Sequence, residues 1–424
     1  MAPRLKIFGW QATDVGRRRN HNEDAVLVDQ EVGLYVVADG VGGYSAGDVA
    51  SKMVVEGLQS HLRSRPDLFG RQAVAPGQTL SDEHRRQAKD YLDQAVQAIT
   101  YQIFSQSRQR GSDFRMGSTL CAMVVLGDVA CIVHVGDSRC YLYRDGTTYQ
   151  LTEDHSLIAE QLKMGLISAE EAATSRYKNV ITRAVGMADR LQVDLFFVDI
   201  LPHDSFMLCS DGFHGYLAKG ELATMLSQHD LSKVPQQAID LANQRGGKDN
   251  ITVIVVSIEG RESSRTTEIV ASVDILRHSP LFQDMSYPES LKILSAARHQ
   301  VFEPGEVVLR EGDPSQQLFI VQSGELGIFR GQEMLAVLGT GDYVGEMGLY
   351  DGAPISATVV SQERTECLVI DGAEFLKLMR QSPDIGFKIQ HNLVLVLLKR
   401  LRDTSHALAW TRQEWRRNSP NSSQ

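Results

Sequence analysis

The sequence predicts an α+β chain of two domains: a layered arrangement of sheets and helices, then a small all-β barrel or jelly roll with flanking helices. Three observations carry that expectation. A chain of 424 residues exceeds what one hydrophobic core comfortably serves, so two domains are the default. Over residues 5–258, short runs rich in Val, Ile, Leu and Phe alternate with helix-forming stretches. Past residue 300 the texture changes to short strands punctuated by glycine.

In the first part Tyr35–Ala38, Thr119–Leu126, Ala130–Val135, Ser205–Cys209 and Ile251–Val256 read as buried strands. Between them Ala46–Leu62 and Asp82–Gln106 read as helices of mixed polarity. The polar, aperiodic stretch Gly260–Glu268 reads as a linker, placed at 259–272. From Val301 to Ile370, closely spaced glycines from Gly305 to Gly352 supply the turns of the barrel. Helices at Ser279–Ala297 and Gly372–Leu401 flank it, giving a second domain over 273–403. A tail, 404–424, ends in the polar Asn418–Gln424, which is expected to be disordered. Within Asp384–Leu401 apolar residues lie nearly all round the helix, so burial on more than one face is expected. Packing against the barrel and pairing in a homodimer both satisfy that demand.

Composition narrows the function. Hydrophobic content of 42% and charged content of 23% are those of an ordinary globular protein. A net charge of −10 argues against coating nucleic acid, and Arg17-Arg18-Arg19 is too short for a polybasic footprint. The N-terminus lacks the apolar core of a secretory signal. The apolar run Leu393–Leu398 falls far short of the ~20 residues that span a bilayer. A cytoplasmic protein without membrane contact is expected. Cys121, Cys131, Cys140, Cys209 and Cys367 have neither zinc nor redox spacing, so buried free thiols are expected.

The chemistry lies in the acids at strand ends. Asp39 (LYVVADGVGG), Asp137 (CIVHVGDSR), Asp211 (FMLCSDGF) and Asp249 (GGKDNITVIVV) each follow or precede an apolar strand beside Gly, Ser or Asn. Glu23-Asp24 lies near the N-terminus, after Arg19. A sheet that converges these carboxylates would repel itself without cations. Hard oxygen ligands favour Mg²⁺ or Mn²⁺.

Eight segments occur in order: DVGRRRNHNED from Asp14, ADGVGG from Ala38, MGSTL from Met116, VGDSR from Val135, LTEDHS from Leu151, NVITRAVG from Asn179, LCSDG from Leu208 and GKDNITVIVV from Gly247. Together they resemble the metal-dependent protein phosphatase family of the 2C type, in its bacterial form. The resemblance implies a four-layer α/β/β/α sandwich with two Mn²⁺ or Mg²⁺ ions at one end. It implies that Asp39 bridges the ions, Gly40 offers its carbonyl, Asp211 and Asp249 complete one ion, and Glu23 holds the other through water. Asp137, with Asp211, matches a third, weaker site. Arg19 matches the arginine that grips the substrate phosphate. The implied reaction is hydrolysis of phosphorylated Ser/Thr proteins by a water or hydroxide bridging the metals. A guanidinium fork complements phosphoryl oxygens in a way lysine does not. A cysteine mechanism is excluded, because the arginine it needs six residues after Cys209 is Gly215.

The rim departs from the family. Tyr44 stands where many bacterial members carry a histidine, and Ser175–Lys178 replaces the usual His-Pro-x-Arg segment in the flap over Leu162–Lys178. The altered rim keeps open a second expectation, a catalytically weak phosphoprotein-binding scaffold. His134 and His155 are expected to be packed structural residues.

The later segments FEPGEVVLREGD from Phe302, LFIVQSGELGIFR from Leu318 and GDYVGEMGLYDGAPISAT from Gly341 resemble the cyclic-nucleotide-binding domain. The resemblance places Gly345 and Glu346 at the phosphate cradle and the ribose hydroxyl. The phosphate-neutralising arginine is replaced by Ile355. Losing one partner of a buried charge pair costs about 2–5 kcal/mol, roughly 30- to several-thousand-fold in affinity. Ordinary cyclic AMP binding is therefore not expected. A different small ligand, a ligand-free regulatory module and a nucleotide sensor remain the alternatives for this domain.

Overall fold

Apolar runs without polar alternation form strands here because both of their faces are covered. The computed structural model describes residues 5–42, 46–70, 73–74, 80–109, 115–177, 180–261, 264–351 and 353–418, and divides into two units, Met1–Thr267 and Glu268–Gln424. All five expected strand runs fall on strands, among them Leu34–Gly42, Leu120–Leu126 and Ile251–Glu259, with only Thr119 left outside.

The first unit holds two antiparallel sheets. One runs Lys6–Asp14, Ile251–Glu259, Ser205–Cys209, Arg139–Arg144, Thr147–Gln150. The other runs Asp24–Asp29, Leu34–Gly42, Leu120–Leu126, Val129–Val135, Asp194–Asp199, with Met116–Ser118 paired beside Leu34–Gly42. The sheets meet face to face, burying Tyr35, Val37, Phe206, Leu208 and Ile254. The opposite faces carry Leu34, Val36 and Ala38 in one sheet, and Val253 and Val255 in the other. Helices Gly47–Arg63 and Asp82–Gln109 cover the first of these faces, through Val54, Leu58 and Leu62 and through Leu92, Val96 and Ile99. That spacing of three and four residues is an amphipathic stripe. Helix Val234–Gln244 covers the second with Ala238, Ile239 and Ala242. The result is the α/β/β/α sandwich. Each fully buried Val, Leu or Ile contributes about 1.5–3 kcal/mol.

The second unit is a β-roll with helices. Its two antiparallel sheets run Ala297–Phe302, Thr365–Asp371, Gln317–Ser323, Tyr343–Val344 and Val307–Leu309, Thr358–Ser361, Leu326–Arg330, Glu333–Leu338. Strand alternation separates two cores. Phe319 and Val321 face the barrel interior with Phe302, Leu326 and Val369. Leu318 and Ile320 face the helices with Leu281, Phe282, Phe375 and Ile389.

Helical boundaries differ from expectation in three places. The segment expected as a 259–272 linker contains the start of helix Ser264–His278. Its apolar residues Ile269, Val273 and Leu276 are buried at helical spacing, behind a charged beginning that hides the pattern. Ser279–Ala297 is a 3₁₀ turn, Pro280–Phe282, and a short helix, Tyr287–Leu294, entered through a Ser286–Glu289 capping box. The last helix runs Pro383–Asn418, well past the expected tail boundary, because neither Gly nor Pro interrupts residues 387–418. Residues 419–424, expected to be disordered, lie outside the described residues. Among the described residues no helix is long and apolar enough to cross a membrane.

Candidate metal and phosphate site

Strand ends place the acids. Asp24 opens its strand directly opposite Asp39 in the antiparallel register. The Asp39 N–H donates to Thr119 Oγ1 at 2.8 Å, and its C=O accepts from Thr119 N–H at 2.8 Å and from Ser118 Oγ at 3.0 Å. Gly40 donates to the Glu23 carbonyl at 3.1 Å, which also accepts from Ser51 Oγ at 2.6 Å. A Cβ on Gly40 would meet Gly47 O at 2.2 Å and Glu23 O at 2.6 Å, so only glycine permits this approach. Asn250 ties its own loop to the 15–23 loop at three points. Its Oδ1 accepts from Glu23 N–H at 2.8 Å, and its Nδ2 donates to the carbonyls of Val15 and His21 at 3.0 and 2.9 Å.

The carboxylates raise one another's affinity for protons. Burial, and then the charges of Asp24, Asp211, Asp137 and Asp249, push Asp39 well above its ordinary value. Burial raises Asp24 to about 7, with Asp211 and Asp249 adding to the effect. It raises Asp137 to about 7, reinforced by Asp211 and Asp154. Asp211 rises to about 6 through burial and the charge of Asp249, opposed by a hydrogen bond shared with Asp39. Burial also raises Glu23. Arg19 is drawn in from the rim. Its Nη2 lies 2.8 Å from Asp249 Oδ2, while about half of its side chain stays exposed. That hydrogen bond raises its pKa further, with the charges of Glu23 and Asp39 contributing.

The six predicted groups other than Arg19 thus come from five separated segments to one end of the sandwich. Five carry carboxylates, and Gly40 brings a backbone carbonyl. The set is short of positive charge. Buried Asp24 Oδ1 has no hydrogen-bond partner, although Oδ2 accepts from Ser210 Oγ at 2.9 Å. All-oxygen donors with unbalanced charge fit hard divalent cations.

Other expectations resolve locally. The five cysteines are buried and free, and burial pushes the Cys209 thiol far up. His134 is fully buried and held down to about 3 by burial and by His155. His155 is also buried, bonded to the Gly136 N–H. In the flap, helices Leu157–Lys163 and Ala169–Thr174 leave Met164, Leu166 and Tyr177 exposed. Tyr44 and Lys178 lie outside the described residues.

In the barrel, Gly345 has a φ of +99°, and a Cβ there would meet Gln317 O at 2.1 Å. Glu346 opens the short helix Glu346–Asp351 and is buried, paired with Arg400 Nη1 from the last helix at 2.5 Å. Arg400 also lies over the Tyr343 ring. Ile355 packs on the apolar barrel core. Arg364, the other arginine near this region in sequence, pairs with Glu366.

A four-layer sandwich with a cation-demanding acidic centre and an arginine at its rim defines the class: a metal-dependent phosphoryl hydrolase. Comparison with known proteins is specific. The protein phosphatase 2C model matches residues 15–250, and the cyclic nucleotide-binding domain model matches 299–382. The serine/threonine phosphatase Stp of Listeria welshimeri is 36% identical over 260 residues, covering 59% of this chain and 98% of that protein. Protein phosphatase PhpP of Streptococcus pneumoniae is 34% identical over 260 residues, covering 59% and 97%. A solved serine/threonine phosphatase of S. agalactiae superposes with a TM-score of 0.51 at 33% identity, covering 59% of this chain and 99% of that one. The catalytic domain of PstP, solved with two manganese ions, gives 0.50 at 30% identity over 60% and 99%. The chain belongs to the protein phosphatase 2C family.

The sequence motifs do not mark Asn250 or Thr119 as organisers of the site, although both residues lie inside those motifs. Their own signal, a short polar side chain inside an apolar run, is common in turns. Glu346 was placed, but its partner is 54 residues away, a distance no motif spans.

Proposed function

We propose that the chain is a divalent-metal-dependent protein serine/threonine phosphatase whose centre is the acidic cluster around Asp39. One observation carries the reading: carboxylates from separated segments converge at one end of the sandwich, beside a half-exposed guanidinium bonded to one of them. Asp39 would bridge two Mn²⁺ or Mg²⁺ ions, with the Gly40 carbonyl beside it. Asp211 and Asp249 would complete one ion, and Glu23 would serve the other. Asp137 and Asp211 would hold a third, weaker ion. Bound ions supply an acidified water as nucleophile and charge compensation for the phosphoryl oxygens.

The chain's own residues bind and orient. Arg19 offers the N–H groups not engaged by Asp249 to the substrate phosphate as a planar fork. Thr119 and Ser118 hold the Asp39 backbone, and Asn250 holds Glu23, so neither ligand drifts under the repulsion of its neighbours. The buried, protonated Cys209 takes no part. The partners are phosphoproteins modified on Ser or Thr, and neither nucleic acid nor membrane is part of the reading. Five unpaired thiols suit the reducing cytoplasm.

The barrel is read as a regulatory module without ordinary cyclic-nucleotide affinity. Ile355 supplies no charge for a phosphate, and Arg400 already engages the acid that would take a ribose. The last helix is read as a homodimer element. Phe387, Val394 and Leu401 recur every seven residues and are exposed, at 70%, 54% and 64%.

The test is turnover of a chromogenic phosphomonoester and a phosphothreonine peptide with excess Mn²⁺. Wild-type protein is expected to hydrolyse both, and Asp39→Asn or Asp211→Asn to abolish turnover. Equal rates for wild type and these variants would sink the reading.

A further inference from the structure

The loop Gly136-Asp137-Ser138 is held by three imidazoles, one for each residue. The Gly136 N–H donates to His155 Nδ1 at 3.1 Å. His214 Nε2–H donates to the Asp137 carbonyl at 2.9 Å. His134 Nε2–H donates to the Ser138 carbonyl at 2.9 Å. The loop needs holding. Gly136 has a φ of +106°, and a Cβ there would meet the Thr119 side chain at 2.7 Å. Thr119 Oγ1 in turn bonds Ser138 Oγ at 2.7 Å and accepts the Asp39 N–H at 2.8 Å. His214 closes the helical turn Asp211–His214. One imidazole therefore links the backbone at Asp137 to the turn that begins with Asp211.

The same group of side chains suggests a separate cation site, since His134, His155 and Asp194 bring ligand atoms within 4.8 Å of one another. Hydrogen-bond chemistry rules that use out. His155 Nδ1 takes the Gly136 N–H, and its Nε2 lies against Arg183 Nη1 at 3.2 Å, so neither ring nitrogen is free for an ion. The same Nε2 stands 3.3 Å from Asp194 Oδ2. Arg183 Nη1 stands 3.4 Å from Asp194 Oδ1 and fills the position with positive charge. The cluster is a brace for the loop.

We infer that His214, backed by His134 and His155, is a positioning residue that sets the Asp137 carboxylate against Asp211 for a cation the two share. The inference rests on the proposed metal reading of those two acids. Asp137 and Asp211 repel each other, and Asp137 lies on a loop whose glycine resists no rotation. The His214 imidazole, bonded to the Asp137 carbonyl, ties that loop to the Asp211 turn and opposes their separation. Loss of a partner that orients a ligand costs roughly 10–100-fold in metal affinity.

The test is calorimetric titration of full-length protein with Mn²⁺, alongside thermal unfolding in EDTA. Wild type is expected to bind two ions tightly and one more weakly. His214→Ala should weaken the weak class by about 10–100-fold, with a smaller effect on the tight pair, to which only Asp211 of the two braced acids belongs. His214→Gln, whose Nε2 amide can reach the same carbonyl, should restore the weak class. If His214→Ala unfolds without a cooperative transition, His214→Asn replaces it: the shorter amide keeps size and polarity but falls short of Asp137. Overturning results are an unchanged weak class in the Ala or Asn variant, equal impairment of Ala and Gln, or a wild type with no weak class. A wild type that binds no Mn²⁺ at all removes the metal reading itself, which separates the two failures.

Discussion

Asp24→Asn should stabilise the metal-free protein, and only at high pH. Asp24 is buried opposite Asp39, and its pKa is raised from 3.8 to about 7 by burial and by Asp211 and Asp249. The folded protein therefore retains a proton there that the unfolded chain releases. The associated stability is full below the ordinary value and is lost as the pH rises through about 7. A displacement of about three units corresponds to roughly 4 kcal/mol between the two protonation states. Asparagine cannot ionise, and its Oδ1 can still accept from Ser210 Oγ. Its amide nitrogen would replace an oxygen that has no partner, at a cost of about 1–3 kcal/mol. The net gain at pH 8 is then on the order of 1–3 kcal/mol, near zero at pH 5, which for a unit of this size raises Tm by roughly 5 °C. Scanning calorimetry of the full-length protein in EDTA at both pH values measures it. Identical Tm values at pH 8, or an equal gain at pH 5, would refute the repulsion argument. With saturating Mn²⁺ the advantage should disappear, because bound cations relieve the same repulsion.

Three further outcomes follow from the same geometry. Arg19→Ala should lower kcat/KM for phosphopeptides by about 10–150-fold, the worth of a charged hydrogen bond, mainly through KM, with Arg19→Lys intermediate; steady-state kinetics at saturating Mn²⁺ reads this. Calorimetric titration with cyclic AMP or cyclic GMP should show no micromolar binding, and such binding would reject the view that Ile355 and the Arg400–Glu346 pair disable the pocket. Phe387→Glu combined with Leu401→Glu should convert a dimer to a monomer in sedimentation, whereas a wild type that is already monomeric would remove the dimer reading.

Much of the proposed metal centre is legible because its acids sit at strand ends, where apolar runs meet Asp-Gly, Asp-Ser or Asp-Asn. Asp39, Asp137, Asp211 and Asp249 could be picked out from that local pattern, and their order matched one family. The barrel was legible for a similar reason, from glycine-spaced short strands and a missing arginine at Ile355. Helix limits were less so. Helix Ser264–His278 begins in a charged stretch, and its buried stripe of Ile269, Val273 and Leu276 shows only once a core exists to receive it.

Sequence alone determined the fold class, the two-part organisation and the identity of the acids, because each depends on local composition and short-range periodicity. Tertiary structure decided how those acids are held. Asn250 holding the 15–23 loop, Thr119 under Asp39, three histidines around Gly136–Ser138 and Arg400 on Glu346 join residues up to 235 positions apart. A hydrogen bond across such a span leaves no periodic trace in the chain. It exists only because folding brings a side chain of one segment within about 3 Å of a polar group of another.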